Sequence, residues 1–374
     1  MPLLSLNEIC IKLRSGKSIP SVQVSREGLY PVIGGNGLRG YASEYNFDGE
    51  CAVIGRQGAA CGNVRYFSGK CYMTEHAVIA ETTHSHNARY LAYLLSMQQL
   101  GRLSGQSAQP GISVKMLGMQ RFDMPTLEYQ RKVVSILGAL DDKILVNSRI
   151  NDHLLEMALS EYMELSRQSS SKRTLQDCTS LLCRGGAPKY CEKGKFRALN
   201  QRCIRNHKID DANARRIENP KSREKLLRYG DILICSTGTG TLGRSAQVLC
   251  HDERVTVDSH VTIVRPAYEA LVEYLGCWAL SSEDQFESMA KGSTGQTELP
   301  RTELAELEIG FPDAASLNDF SGKTKPLFEA IQSNVRENQS LECLRDALLP
   351  KLMSGEIDVS RIGLRQLNGH LVES

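Results

Sequence analysis

The sequence repeats itself at half its own length, and no other feature limits the possible folds as sharply. The chain has 374 residues, and a shift of 187 lays Gly105 on Gly292, Gln109 on Gln296, Leu117 on Leu304, Pro125 on Pro312, Leu140 on Leu327, Ile144 on Ile331, Asn147 on Asn334, Asn151 on Asn338 and Leu154 on Leu341. Upstream the offset falls to 184, aligning His76 with His260, Ile79 with Ile263 and Tyr90-Leu91 with Tyr274-Leu275. Further upstream it falls to 181, aligning Gly49 with Gly230 and Gly62 with Gly243. An offset that drifts one way in steps of three describes a duplicated unit with small loop insertions. Two copies of so long a period exclude a solenoid, which needs at least three stacked repeats.

Each copy has the same internal order. Short apolar runs come first, at 51–55 and 77–80 in copy one and at 231–235 and 261–264 in copy two, bounded by Gly, Asn and Ser; these read as strands. A short helix follows (88–96; 271–280), then a Gly-x-x-x-Gln loop (Gly105 to Gln109; Gly292 to Gln296) and a last strand closing at Pro125 or Pro312.

After each proline the period changes to steps of three and four. Val133, Leu137, Leu140, Ile144, Leu154, Ala158, Tyr162 and Leu165 mark one amphipathic helix, and Phe320, Leu327, Ile331, Leu341, Leu344, Leu348 and Leu352 mark its duplicate. The first would be about 60 Å long at ~1.5 Å per residue. In both, the two middle seam positions are asparagine: Asn147/Asn151 and Asn334/Asn338. Asparagine at a seam costs stability but fixes register. If the helices pack antiparallel about a two-fold, each Asn pair faces its own duplicate. The expected fold is α+β: two mixed α/β domains separated by an antiparallel coiled coil of two long helices, with a pseudo-two-fold internal repeat. The boundaries are 1–125, helix 126–168, 169–312, helix 313–354 and a tail at 355–374, with 167–173 as linker into copy two.

Composition narrows the function classes. Forty-five basic residues nearly cancel 43 acidic ones and 41% of residues are apolar, which excludes a globally basic tail and an acidic disordered chain. The apolar N-terminus meets Asn7, Glu8, Lys12 and Arg14 too soon for a signal peptide, and no apolar run approaches ~18 residues. A cytoplasmic protein without a membrane partner is expected. The twelve cysteines form no C-x-x-C pair and match neither a zinc site nor a disulfide framework, so they read as buried thiols with no metal.

Catalytic motifs fail individually. Gly35 to Gly40 and Gly238 to Gly243 fit G-x-G-x-x-G, but no helical pattern follows either, so both read as turns rather than dinucleotide sites. Ser15-Gly-Lys-Ser18 lacks the first glycine of a P-loop. There is no His-Glu-x-x-His, and His84-x-His86 has no carboxylate or cysteine cluster beside it.

Local charge is more informative than the total. Residues 184–228 hold 14 basic and 5 acidic side chains, residues 281–313 hold 2 and 8, and copy one up to Gly118 holds 11 and 7. A basic face suits phosphate contacts, and Arg, Lys, Asn, Gln, Ser and Thr on loops suit base reading. Copy one offers Asn36, Arg39, Arg56, Gln57, Asn63, Arg65 and Gln109; copy two offers Arg202, Arg205, Asn206, His207, Lys208, Thr237, Thr239, Arg244 and Gln296. His76 and His260 read equally well as core histidines or base readers. Two diverged binding domains on a spacer suit two different half-sites on one duplex.

Gly292-Ser-Thr-Gly-Gln-Thr-Glu-Leu-Pro-Arg301 running to Phe311-Pro312, and Ala347-Leu-Leu-Pro-Lys-Leu-Met-Ser-Gly-Glu-Ile357 after the second helix, resemble type I restriction-modification specificity (S) subunits. Copy one departs from the pattern at Gly105 to Ile112 and at Tyr129, where the usual residue is glutamate. The resemblance implies a non-catalytic subunit whose two target recognition domains each read half of a bipartite, asymmetric sequence in double-stranded DNA, with the paired helices as a ruler. Two modification (methyltransferase) subunits would dock on the helices, and restriction (translocase/nuclease) subunits would join them. S-adenosylmethionine, ATP and Mg would sit on those partners, with no cofactor on this chain. A two-globule protein adaptor, or a specificity subunit of another restriction-methylation enzyme type, remains open at this point.

Overall fold

The computed structural model describes residues 2–104, 111–250, 253–292 and 297–359. It divides into two compact units, Met1–Ile144 with Ser340–Ser374, and Leu145–Gln339. Four helices organise them: α1 (Ala88–Ser96), α2 (Leu127–Gln168), α3 (Val272–Ser281) and α4 (Ala314–Ser354). The unit boundaries fall inside α2 and α4. The fold is mixed α/β with two long helices, and of the tail expected at 355–374 only residues up to 359 are described.

In the first unit six strands form one sheet in the order Cys10–Ser15, Ala77–Thr82, Phe47–Gly55, Val64–Met73, Tyr30–Gly34, Gly37–Ala42. The pairings are antiparallel except that of Tyr30–Gly34 with Val64–Met73. One sheet face packs through Ile54, Val78 and Ala80 against Leu91 and Leu95 of α1, with Val133 and Leu137 of α2 and Leu352 of α4 closing the core. Asn87 caps α1 by accepting from the Tyr90 N–H at 2.9 Å, while its own N–H donates to Gln130 Oε1 at 2.8 Å. Gln130 is buried and donates back to the Pro125 carbonyl, so one amide locks the start of α2 to the start of α1. Tyr129 makes use of its departure from the family pattern: its hydroxyl donates to the Leu352 carbonyl at 2.9 Å. Further along, Asp141 accepts from Arg345 at 3.1 Å and from the Tyr93 hydroxyl, and Arg89 bridges to Asp142 at 2.9 Å. With Tyr129 meeting Leu352 and Asp141 meeting Arg345, α2 and α4 run antiparallel here.

The second unit repeats the first unit's sheet plan. Its strands Thr179–Arg184, Ile232–Cys235, Ser245–Gln247 and Val261–Pro266 lie in the order first, fourth, second, third, and the four corresponding strands of the first unit lie in that same order. The ladders agree in register: Val53 pairs with Ile79, and Leu233 with Ile263. This equates Val53 with Leu233, an offset of 180, one residue short of the alignment read at Gly49 and Gly230. At Gly62 and Gly243 the offset of 181 stands, and both glycines have φ +86. A side chain at Gly62 would meet the Gly101 backbone nitrogen at 2.2 Å, and one at Gly243 the Glu283 carbonyl at 2.9 Å, so both tight turns require glycine. Neither G-x-G-x-x-G run opens a helix; the first turns a hairpin and the second leads into Ser245–Gln247.

One expectation needs correction. The expected linker 167–173 is shorter than composition suggested: α2 continues to Gln168, and Ser171–Thr174 is a strand paired antiparallel with Glu308–Phe311. The Ser171 hydroxyl donates to the Phe311 carbonyl at 2.5 Å, Lys172 bridges to Glu308 at 2.9 Å, and the Arg173 guanidinium lies 4.0 Å over the Phe311 ring. Polar side chains that read as a linker are the outward face of an edge strand. At the helix seam the pair Asn147/Asn151 faces the pair Asn334/Asn338, and the amides bond across the copies. Asn147 Nδ2 donates to Asn338 Oδ1 at 2.9 Å, and Asn334 Nδ2 donates to Asn151 Oδ1 at 2.8 Å. Exchanging the copies turns one bond into the other, donor into donor.

The twelve cysteines are all free. Burial pushes the thiols of Cys10, Cys71 and Cys235 up to about 12, so they are neutral apolar filler in the cores.

Candidate nucleic-acid interface

The copy-one residues singled out by sequence gather at one end of the first unit's sheet. The strand ending at Gly55 runs into Arg56 and Gln57, whose backbone is held from two sides: the Arg56 N–H donates to the His76 carbonyl at 2.9 Å, and the Ile112 N–H donates to the Arg56 carbonyl at 2.9 Å. The turn at Gly35 lies against this point, since a side chain there would meet the His76 carbonyl at 2.8 Å. Exposed Asn36 and Arg39 flank the turn, and the Arg65 guanidinium covers Gly37. Arg56 reaches Ser15 Oγ at 3.3 Å, and Gln57 Oε1 accepts from His76 Nδ1 at 3.1 Å. Asn63 and Arg65 line an open groove with Gln98, Gln99 and Gly101. Guanidinium groups are thus set around amides and an imidazole, a combination that can hold phosphates and present hydrogen bonds to base edges.

The second unit builds the same corner from different side chains. The Ser236 N–H donates to the His260 carbonyl at 2.8 Å, the Leu299 N–H donates to the Ser236 carbonyl at 2.8 Å, and Thr237 Oγ1 lies 2.6 Å from His260 Nδ1. The turn from Gly238 to Gly243 carries exposed Thr239 and half-buried Arg244, and Gln201, next to Arg202, reaches beneath Gly238. A second groove is lined by Arg184, Lys225 and Arg301, with Arg184 bridging to Glu298 at 3.0 Å. Arg205 and Lys208 face each other across a hairpin whose turn, Asn206-His207, has φ +51 and +59, the conformation a two-residue primed turn needs.

Some of these residues are already engaged within the protein. The Lys208 ammonium bridges to Asp152 of α2 at 2.8 Å and donates to Ser148 Oγ at 3.1 Å. His207 Nε2 lies 3.6 Å from Glu283. Burial would raise the Glu283 carboxyl, but His207 and the Ser245 N–H outweigh it and hold it below its usual range. Gln109 and Gln296 lie outside the described residues. The described residues Gly111 and Glu298 bridge to Gln57 and Thr237 respectively.

The histidines are corrected in one respect: neither is a core residue. His76 has 42% of its side chain exposed and His260 is exposed. Gln98, Gln99, Arg184, Lys225 and Arg301 were missed by sequence reasoning. Only the basic count over 184–228 hinted at two of them, Arg184 and Lys225.

Comparison with known proteins agrees with this geometry. Residues 3–156 match the family model described as the type I restriction modification DNA specificity domain. Over those residues this chain is similar to the DNA specificity domain of type I restriction-modification specificity subunits. Over 141 residues it is 38% identical to the type I restriction enzyme EcoprrI specificity subunit of Escherichia coli, a match spanning 37% of this chain and 35% of that relative. It is 22% identical to the MjaIX specificity subunit of Methanocaldococcus jannaschii over 93% of this chain and 92% of that one. The crystal structure of the type I restriction-modification system S subunit from M. genitalium shares the fold, with a TM-score of 0.52 at 17% identity, covering 94% of this chain and 95% of that chain.

Proposed function

We propose that this chain is a specificity subunit of a type I restriction-modification enzyme, binding double-stranded DNA sequence-specifically and having no catalytic role of its own. Each unit is a target recognition domain reading one half of a bipartite, asymmetric site. The segments α2 and α4 pair as an antiparallel coiled coil that sets the distance between half-sites. Two modification subunits dock on these helices and carry S-adenosylmethionine for adenine methylation; restriction subunits bring ATP and Mg for translocation and cleavage. Methylation of a base requires its extrusion from the stack, so this subunit's task is to present the duplex to a partner's pocket. The observation that carries the proposal is the corner at His76 and at His260: one backbone framework, built twice, bearing different hydrogen-bonding side chains. Different side chains on one frame suit unequal half-sites.

The test uses the assembled complex. Exchanging residues 1–118 for those of a relative is expected to change one half-site and leave the other intact. Affinity for duplex DNA is expected to fall as salt rises, because phosphate contacts release counterions. A complex that binds no duplex at any salt, or an exchange that leaves both half-sites unaltered, overturns the proposal.

A further inference from the structure

The two corners coincide in more than their outline. In each, the residue after the Gly55 or Cys235 strand end, Arg56 or Ser236, donates its N–H to the histidine carbonyl, and its own carbonyl accepts from the N–H of Ile112 or Leu299. The next residue, Gln57 or Thr237, bridges to Gly111 or Glu298 and puts its side-chain oxygen on the histidine Nδ1. These backbone bonds use only the histidine carbonyl, which any residue supplies. Histidine is therefore not what the backbone requires at position 76 or 260, yet both copies have it, with the ring reaching the surface and Nδ1 held by the following residue of the corner. Its neighbours differ: Gln57 and Glu75 in the first unit, Thr237 and Asp258 in the second. The Asp258 carboxyl is itself buried and accepts the His260 backbone N–H at 2.9 Å, fixing the residue from below.

Fixing one ring nitrogen orients the other. Among the described residues Nε2 of His260 has no partner, while Nε2 of His76 lies 3.2 Å from Glu75 Oε1 at the surface. An imidazole edge beside an amide or hydroxyl is a hydrogen-bonding surface of low charge, suited to a base edge rather than a phosphate. The charge lies around it, on Arg39, Arg56 and Arg65 in one unit and on Arg184, Lys225 and Arg301 in the other.

We infer that His76 with Gln57, and His260 with Thr237, are the specificity-determining pairs of this subunit, each contacting one base pair's edge in its own half-site. The constant histidine anchors the contact and the variable partner selects the base. The inference rests on the DNA-reading role proposed above and adds which side chains do the reading.

The test is selection from a duplex library randomised in both half-sites, using the complete complex and the wild-type protein beside each variant. His260→Gln and Thr237→Gln are expected to change the base preference at one position of one half-site by about tenfold or more. The other half-site and the salt dependence of binding stay as in wild type. His76→Gln and Gln57→Thr are expected to do the same in the other half-site. Because both histidine rings reach the surface, folding is preserved, and unchanged Trp278 fluorescence verifies this for the second-unit variants. Variants that bind duplex with both preferences unchanged overturn the inference while leaving the DNA-reading role standing. An equal loss over all sequences also overturns it, by showing a backbone contact. Wild-type complex that selects no sequence overturns both.

Discussion

Asp231 should be the costliest single carboxylate to remove from the second unit. It is fully buried, and Arg265, itself nearly buried, grips it with two bonds of 2.7 Å, Nε to Oδ1 and Nη2 to Oδ2. The guanidinium also donates to the carbonyls of Glu224 and Leu226, and Asp231 Oδ2 accepts the Arg228 N–H. The pair therefore ties the 224–231 loop to the sheet strand carrying Arg265. Asp231→Asn keeps the volume and an acceptor for Arg228 but leaves a buried guanidinium without its counter-charge, which costs about 3–5 kcal/mol. For a unit of about 200 residues that lowers Tm by about 6–20 °C. The chain holds a single tryptophan, Trp278, whose ring packs against Phe286 in this unit's core, so its fluorescence reports unfolding of this unit alone. Arg265→Met should cost a similar amount by stranding the carboxylate. The double variant, Asp231→Asn with Arg265→Met, should cost clearly less than the two singles added together, because neither charge is then buried alone. A loss under about 1 kcal/mol for Asp231→Asn, or strict additivity in the cycle, would refute this reasoning.

Glu273 gives the opposite sign. It is buried at the start of α3 with Ser321 donating to it at 3.3 Å, and burial raises its carboxyl above the ordinary value of 4.5. A folded pKa above the unfolded one means that the native state binds the proton more tightly, so stability falls as pH rises from about 4.5 through the raised value. Glu273→Gln is therefore expected to stabilise the second unit at pH 7 and to remove that decline, with the difference vanishing below pH 4, read by urea titration on Trp278. At the helix seam, Asn147→Leu removes the amide that donates to Asn338 Oδ1 at 2.9 Å and to Glu337 Oε2 at 2.6 Å, and is expected to cost about 1–3 kcal/mol, read by urea titration on Trp278.

Sequence reasoning succeeded where information is local and failed where it is not. The long helices follow from periodic leucines and valines, and the doubling from residues at an offset that drifts one way in small steps; both belong to single segments or to segment pairs compared directly. The order of strands within each sheet was not predicted, because four apolar runs of similar length carry no address. Lys208 counts as one basic residue in a basic stretch, but a charge count cannot record that Asp152, 56 residues earlier, already holds its ammonium. Ser169 to Ser171 has a linker's composition, and only the backbone of Glu308–Phe311 makes a strand of its end.

The histidines show what duplication adds to a single sequence. His76 preceding an apolar run reads the same whether its ring is buried or exposed, and so does His260. Once the ladders place both rings at the exposed end of equivalent strands, core packing no longer accounts for their recurrence, and the backbone bonds at each site are made by carbonyls. What needs explaining is then an imidazole retained at one position beside partners that differ, Gln57 and Thr237. A purely structural turn has no use for keeping the ring while exchanging its partner, and a phosphate clamp would place its guanidiniums there. A reader of two unequal half-sites, as proposed for this chain, needs a common anchor and a changeable selector, the roles the proposal gives to the histidines and to Gln57 and Thr237.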